Sequence, residues 1–554
     1  LIVVLTWKSS FPIHSVKQPS PAPAAAQQLA VLPFEAVGGN ASLRAFADGL
    51  TDTLTGKLTQ LTARRSLEVY PASEVQSLGV KTVEEAQKQF GVNLVLTGSL
   101  QSSGGQVRVT AVLIDAKTRR QVSSETVTAS LANAFAVEDQ VVASSVQMLG
   151  IEPQPREREA LAAHGTDQPG AYDDYLEGRG YIQHFEKPEN LDKGIQAFRR
   201  ALRKDPNYGL AYAGLGEAYW HMYSEHTEDP AWAERARAAC DKAASLGNGG
   251  AEAHACLGLV DNGTGEYAAA AGEFKHVLEL EPTNDEGYGG LAQAYERLGK
   301  LDEAEKTFQK AIALRPNYGA TYSWLGLFYF DHGRYEDAAR MFKRMIGLAP
   351  DSFMGFSNLG GAYLMEGRYS EAIAPLQTSI GIRPHAGAYS NLGTAYYYLH
   401  KFMEAARTYE EAARLEPHAY DLWGNLGDAY YWAPRERNRA PAAYEKAVTL
   451  ARQQLEVNPK DSVVLSYVAT YEAMLGDRTE AFSFLARSLQ PAPQDPELMF
   501  NAALVYNQLG EKDQALEWLA QAVGAGYSAA TLRATPNFSN LQGDPRFQKL
   551  LTHH

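Results

Sequence analysis

Cysteine is almost missing from this chain: Cys240 and Cys256 are the only two in 554 residues. Two thiols build neither a disulfide framework nor a zinc site. The apolar run LIVVLTW, residues 1–7, is about a third of the ~20 residues a spanning helix needs. Catalytic signatures are missing too. There is no Gly-rich phosphate loop followed by Lys, no HRD or DFG, no HExxH and no GxSxG. Positive charge is short: 51 Lys and Arg face 65 Asp and Glu, for a net charge of −14. Residues 1–160 hold 14 of each sign, so the whole excess of acid lies beyond them. Without a basic stripe for phosphates, nucleic-acid binding is disfavoured. The acidic part favours solubility, and a basic partner is the minority reading.

What the chain has is a repeat. Pro282, Pro316, Pro350 and Pro384 recur every 34 residues. Before Pro350 stands TYSWLGLFYFDHGRYEDAARMFKRMIGLAP. Tyr322, Leu325, Gly326 and Tyr329 fall at i, i+3, i+4 and i+7, one stripe of a helix. Gly326 and Ala338 are small where two helices approach. Gly333 suits the end of the first helix, and Pro350 stops the second. The neighbours repeat the pattern with Leu291, Ala292, Tyr295 and Gly299, then with Leu359, Gly360, Tyr363 and Gly367. Each helix hairpin carries more apolar surface than it can bury alone, so hairpins must stack.

Residues 29–151 have another rhythm. LAVLPF and SLEVYP read as short strands. SLRAFADGLTDTLTGKLTQL keeps Leu43, Phe46, Leu50, Leu54, Leu58 and Leu61 on one helical face, and TVEEAQKQFG reads as a short helix. NLVLTGSLQ, QVRVTAVLID and RQVSSETVTA read as three strands joined by turns, and NAFAVEDQVVASSVQML closes the domain with a helix. Strands and helices in so compact a length argue an α/β layer domain. Before it, residues 8–28 carry four prolines among Ser and Ala, an extended linker.

The 34-residue pattern resembles the tetratricopeptide repeat over about two thirds of the chain. About ten units are expected over residues 175–527, starting near 175, 209, 251, 285, 319, 353, 386, 420, 462 and 496. The ninth departs most, with Val468 and Glu472 where Leu and Tyr are usual, and its assignment rests on Leu475, Gly476, Ala481 and Pro493. Residues 528–554 read as a capping segment. The expected architecture is therefore mainly α, a TPR α-solenoid superhelix behind a small α/β domain. The blocks LAVLPF, GLTDTLTGKLTQL and GVNLVLTGSLQSSGGQVRVTAVLIDAKTRR resemble the TolB amino-terminal-like domain, with Ser123-Ser124 where that family usually has Trp. AYDDYLEGRGYI, within the connector 152–174 and the first repeat, is similar to the lead into repeats seen after that domain.

In the families it resembles, this pair of regions follows a single transmembrane helix. An output domain lies on the other side: a serine/threonine kinase, a class III cyclase or a winged-helix regulator. The GDPRFQKLL ending is most similar to the bacterial kinase group. The resemblance thus implies a non-catalytic interaction and sensor region of a membrane-anchored signalling protein. Residues 1–7 would be the end of the anchor, the kinase would precede residue 1, and this region would be extracytoplasmic. A stand-alone envelope scaffold is the alternative. No cofactor is expected.

The resemblance also implies a protein or peptide ligand on the concave face, lined by first helices. The residue after each core Tyr or its equivalent points there: Glu186, Trp220, Asn262, Glu296, Phe330, Leu364, Tyr397, Tyr431, Ala473 and Asn507. The candidate groove is Trp220, Phe330, Met354, Leu364, Tyr397, Tyr398, Tyr431 and Trp432. The Lys/Asn set that clamps a peptide carboxylate in some relatives is missing. Packing between neighbouring first helices competes with binding as the role of these aromatics. His221, Glu225 and His226 share one insertion, where a solvated loop is expected over a metal site. Cys240 and Cys256 fall on adjacent helices, and two buried thiols are expected over a bond.

Overall fold

The computed structural model describes residues 27–38, 41–61, 67–130, 133–227, 229–490 and 495–552. The expected anchor and nearly all of the linker lie outside these residues, as does Pro493. Among the described residues no helix is long and apolar enough to cross a membrane. Two compact bodies divide the chain. One comprises residues 1–83, 92–256 and 280–283; the other comprises 84–91, 257–279 and 284–554.

The first body holds a mixed sheet. Its strands are β1 (Gln27–Val31), β2 (Glu35–Val37), β3 (Leu67–Tyr70), β4 (Leu94–Ser103), β5 (Gln106–Asp115) and β6 (Arg120–Ser130). The order is β3-β1-β4-β5-β6, with β2 also on β4. β1 runs parallel to β3 and β4, while β4, β5 and β6 form antiparallel hairpins. Gly104 and Gly105 close the first hairpin, both with positive φ as a tight two-residue turn demands. The reading of LAVLPF as one strand is corrected: the ladder breaks at Leu32-Pro33-Phe34 and resumes as β2 on the same neighbour. Proline has no N–H to give the ladder. Helix Ala41–Gln60 buries Leu50, Leu54 and Leu58 completely.

The segment AYDDYLEGRGYI has a physical role within this body. It lies in helix Pro169–Ile182, the first helix of the first pair, which crosses helix Ala41–Gln60 at very short range. A Cβ on Gly180 would stand 1.7 Å from the Ala45 carbonyl oxygen, and one on Gly49 would stand 1.9 Å from that of Leu176. Polar contacts pin the crossing. Arg179 reaches Asp52 at 2.8 Å and Glu217 at 2.7 Å. Fully buried Glu138 accepts from Lys57 Nζ at 2.7 Å and from the Tyr172 hydroxyl at 2.5 Å.

Ten helix pairs follow one another from Pro169 to Gly524, including Ser462–Leu475 with Arg478–Ser488 for the divergent ninth. In the fifth pair, Gly326 leaves room for the Phe342 ring, which a Cβ would meet at 2.6 Å. Gly333 ends the first helix at φ 71°. In the seventh pair His400 takes the same left-handed conformation, at φ 57°.

Two expectations are corrected in the first body. Cys240 and Cys256 are bonded, with Cα atoms 5.5 Å apart on helices Pro230–Leu246 and Gly250–Thr264. Gly216 makes the space, since a Cβ there would lie 2.6 Å from both sulfurs. The insertion after His221 is not a loop at its start. Met222–Thr227 continues the helix as a π turn. His221 stacks on Phe185 at 4.2 Å between ring centres, and His226 Nε2 meets the Phe185 carbonyl at 2.8 Å.

Candidate protein-binding face

All eight candidate groove residues lie on the first helices of their pairs. Trp220 belongs to the first body, where it is buried with its ring 5.2 Å from Tyr223. The others belong to the second. Phe330 is half-buried and meets Tyr335 edge-on at 5.4 Å. Met354 is half-buried, Leu364 is buried, and the adjacent Met365 is 46% exposed. Leu327, one turn before Phe330, is 41% exposed.

Further along, aromatic rings pack on one another. Tyr398 stacks on Tyr369 at 4.8 Å. Tyr431 lies under the Arg437 guanidinium at 4.2 Å and meets Trp432 edge-on at 5.3 Å. Tyr397 is buried in the core of this region, with Tyr398, Tyr431 and Trp432 packed against it. The structure thus brings Tyr397, Tyr398, Tyr431 and Trp432 into one aromatic cluster, and places Phe330 and Leu364 in a neighbouring one.

Three features on this side were not singled out from the sequence. Asp428 is one: its carboxylate accepts from the Tyr444 hydroxyl at 2.6 Å. Burial pushes that carboxyl up to about 6. Burial also holds the Tyr397 and Tyr444 hydroxyls well above the usual tyrosine range, helped by the charge of Asp428. They remain donors at neutral pH. A second carboxylate, Glu497, accepts from the Tyr467 hydroxyl at 2.7 Å.

The third feature is the capping segment. It reaches back to the sixth, seventh and tenth pairs. The Tyr369 hydroxyl donates to Thr531 Oγ1 at 3.3 Å, and the Tyr397 hydroxyl donates to Asn537 Oδ1 at 2.9 Å. Asn507 Nδ2 donates to the Asn537 carbonyl at 2.7 Å, and the Asn507 and Asn540 side chains pair at 3.0 and 3.2 Å. Asparagine in a C-terminal tail carries no sequence signal for such a contact. Among the described residues no cluster of three or more His, Cys, Asp or Glu stands ready to hold a metal. Hydroxyl donors, amides and aromatic faces are equipment for recognition.

Family models described as tetratricopeptide repeat match residues 184–244, 263–325, 325–387, 390–454 and 496–525. A model described as the second domain of HilA/YgeH-like transcriptional regulators matches residues 25–144. A curated protein of Rhizobium meliloti (strain 1021), described as putative adenylate cyclase 3, is 28% identical over 218 residues. The match covers 38% of this chain and 36% of that protein, so the chain spans about a third of the length of the relative it matches. Among solved structures, the Cut9–Hcn1 hetero-tetramer is similar at 16% identity over 76% of this chain and 81% of the other, with a TM-score of 0.35. A tetratricopeptide repeat protein of Parabacteroides merdae is similar at 18% identity over 46% and 98%, with a TM-score of 0.34. MamA of Desulfovibrio magneticus is similar at 23% identity over 31% and 98%, with a TM-score of 0.29.

Proposed function

The chain carries an array of tetratricopeptide repeats, and on that premise we propose that it is the non-catalytic interaction and sensor region of a bacterial signalling protein. The observation that carries this is the run of stacked helix pairs with large apolar side chains left open on the first-helix side, Leu327 and Met365 foremost. Exposed apolar side chains on the first helices of neighbouring pairs suit a protein partner. The match of residues 25–144 and the Rhizobium relative carry the names of a transcriptional regulator and a cyclase. Both names fit signalling, and they favour those outputs over the serine/threonine kinase. The TolB-like resemblance covers the same residues as the regulator match and keeps its place as part of this reading.

We place the region outside the cytoplasm, tethered through the apolar stretch at residues 1–7. The Cys240–Cys256 bond supports this, because disulfides persist in oxidising compartments. Alkylating intact cells and lysates before and after reduction tests it. Two thiols free without reduction would remove the support.

The binding function is tested by comparing proteins cross-linked to wild type and to Phe330→Ala/Met365→Ala in producing cells. The expected result is loss of a discrete partner from a variant that melts like wild type. The same proteins in the same amounts would overturn the reading.

A further inference from the structure

The segment after the tenth pair treats the first-helix side as a ligand would. Tyr397 and Asn507 hold equivalent positions in the seventh and tenth pairs, each the residue after a core Tyr. One residue bonds both: Asn537 takes the Tyr397 hydroxyl on its side-chain oxygen and the Asn507 amide on its main-chain carbonyl. Ala530 and Ala534 extend the contact. A Cβ on Gly367 would meet that of Ala530 at 3.0 Å, and Ala534 packs against the cluster containing Tyr363 and Leu364. Leu532 and Phe538 anchor the other side of the segment and are fully buried with Met499 and Phe500 of the tenth pair. The chain enters this segment through Gly524 and Gly526, the second at φ 103°.

We propose that residues 527–541 are an internal ligand of the array. They occupy the first-helix side at the seventh and tenth pairs and rest on the turn and second helix of the sixth, and an external protein segment reaches Tyr397 and Asn507 only by displacing them. The inference rests on reading this side as a partner surface, and it says which part is closed. A tethered segment acts at an effective concentration in the millimolar range. A competitor must therefore offer more than the tail does: a main-chain carbonyl and a side-chain acceptor for Asn507 and Tyr397, with an apolar anchor beside them. Partners without that combination use the fifth and sixth pairs instead.

The probe is a fluorescein-labelled peptide of residues 526–543, GYSAATLRATPNFSNLQG, titrated into the full chain by anisotropy. Wild type should bind it weakly, because its own tail holds the site. Asn537→Ala/Phe538→Ala should bind it at least tenfold more tightly, and adding Asn507→Ala should remove most of that gain. Asn537→Ala alone, which deletes only the polar handle, should bind a few-fold more tightly than wild type and decides the matter should the double variant melt below assay temperature. Equal affinity in wild type and variants, or no binding by any, overturns the internal ligand. Neither result depends on an external partner, so the proposed function stands or falls separately.

Discussion

Asp428 shows what a single half-buried group does to stability. Its carboxyl, ordinarily at 3.8, is pushed up to about 6 by burial, with the Tyr444 hydroxyl pulling weakly the other way. The folded state therefore holds this proton more tightly than the unfolded chain. The stability linked to the proton is present below about pH 4 and is lost as pH rises through about 6. Above that, the ionised half-buried group costs about 1–3 kcal/mol. Asp428→Asn keeps an acceptor for Tyr444 and carries no charge. Its unfolding midpoint should exceed that of wild type at pH 8, and the gap should close near pH 4. Equal midpoints at pH 8 would mean water reaches the carboxylate. Nothing in the local sequence LGDAYYW announces this group, because the hydroxyl that meets it, Tyr444, lies on the next helix. Gly326 and Gly333, by contrast, were legible from spacing alone. The repeat fixes both a tight crossing and a left-handed helix end, and the structure adds only that the crossing makes room for Phe342.

Elements within the first body meet where sequence gave a motif without a reason. Helix Pro169–Ile182 looked like a lead into the repeats, and it is also the partner of helix Ala41–Gln60. Gly180→Ala would press a methyl into the Ala45 carbonyl, and the overpacking should cost about 1–3 kcal/mol or more. Gly170 on the same helix is the control, since a Cβ there meets nothing closer than Lys204 Nζ at 3.4 Å. Calorimetry should show Gly180→Ala lowering a transition that Gly170→Ala leaves unchanged or raises. Equal effects would mean the two helices are not in close contact. Glu138 gives a second check on this junction. Glu138→Ala strands buried Lys57 and should cost about 3–5 kcal/mol. An unchanged midpoint would show that the pair is solvated. Periodicity located every one of these helices and put Cys240 and Cys256 on adjacent ones, but the pairing of Lys57 with Glu138 depends on which helices touch. A missing Cβ at Gly180 lets distant helices meet where pattern reading has no purchase, and one at Gly216 leaves room for the two sulfurs.

At the scale of the whole molecule, the account is of a repeat array whose first-helix side is divided. The first helices of the fifth and sixth pairs keep Leu327 and Met365 open, while those of the seventh and tenth hold the chain's own tail. Legibility ended at this division. The repeat pattern identified Tyr397 and Asn507 as facing one side, yet Asn537, which bonds both, lies 140 and 30 positions further on. The most direct measurement is photo-crosslinking in producing cells, with benzoylphenylalanine placed either at Met365 or at Tyr397 of the full chain. The account predicts a discrete adduct with another protein from position 365. From position 397 it predicts an intrachain link to residues 531–540, read by mass spectrometry of the digested chain. Capture of another protein at position 397 without the intrachain link, or silence at position 365, would contradict it.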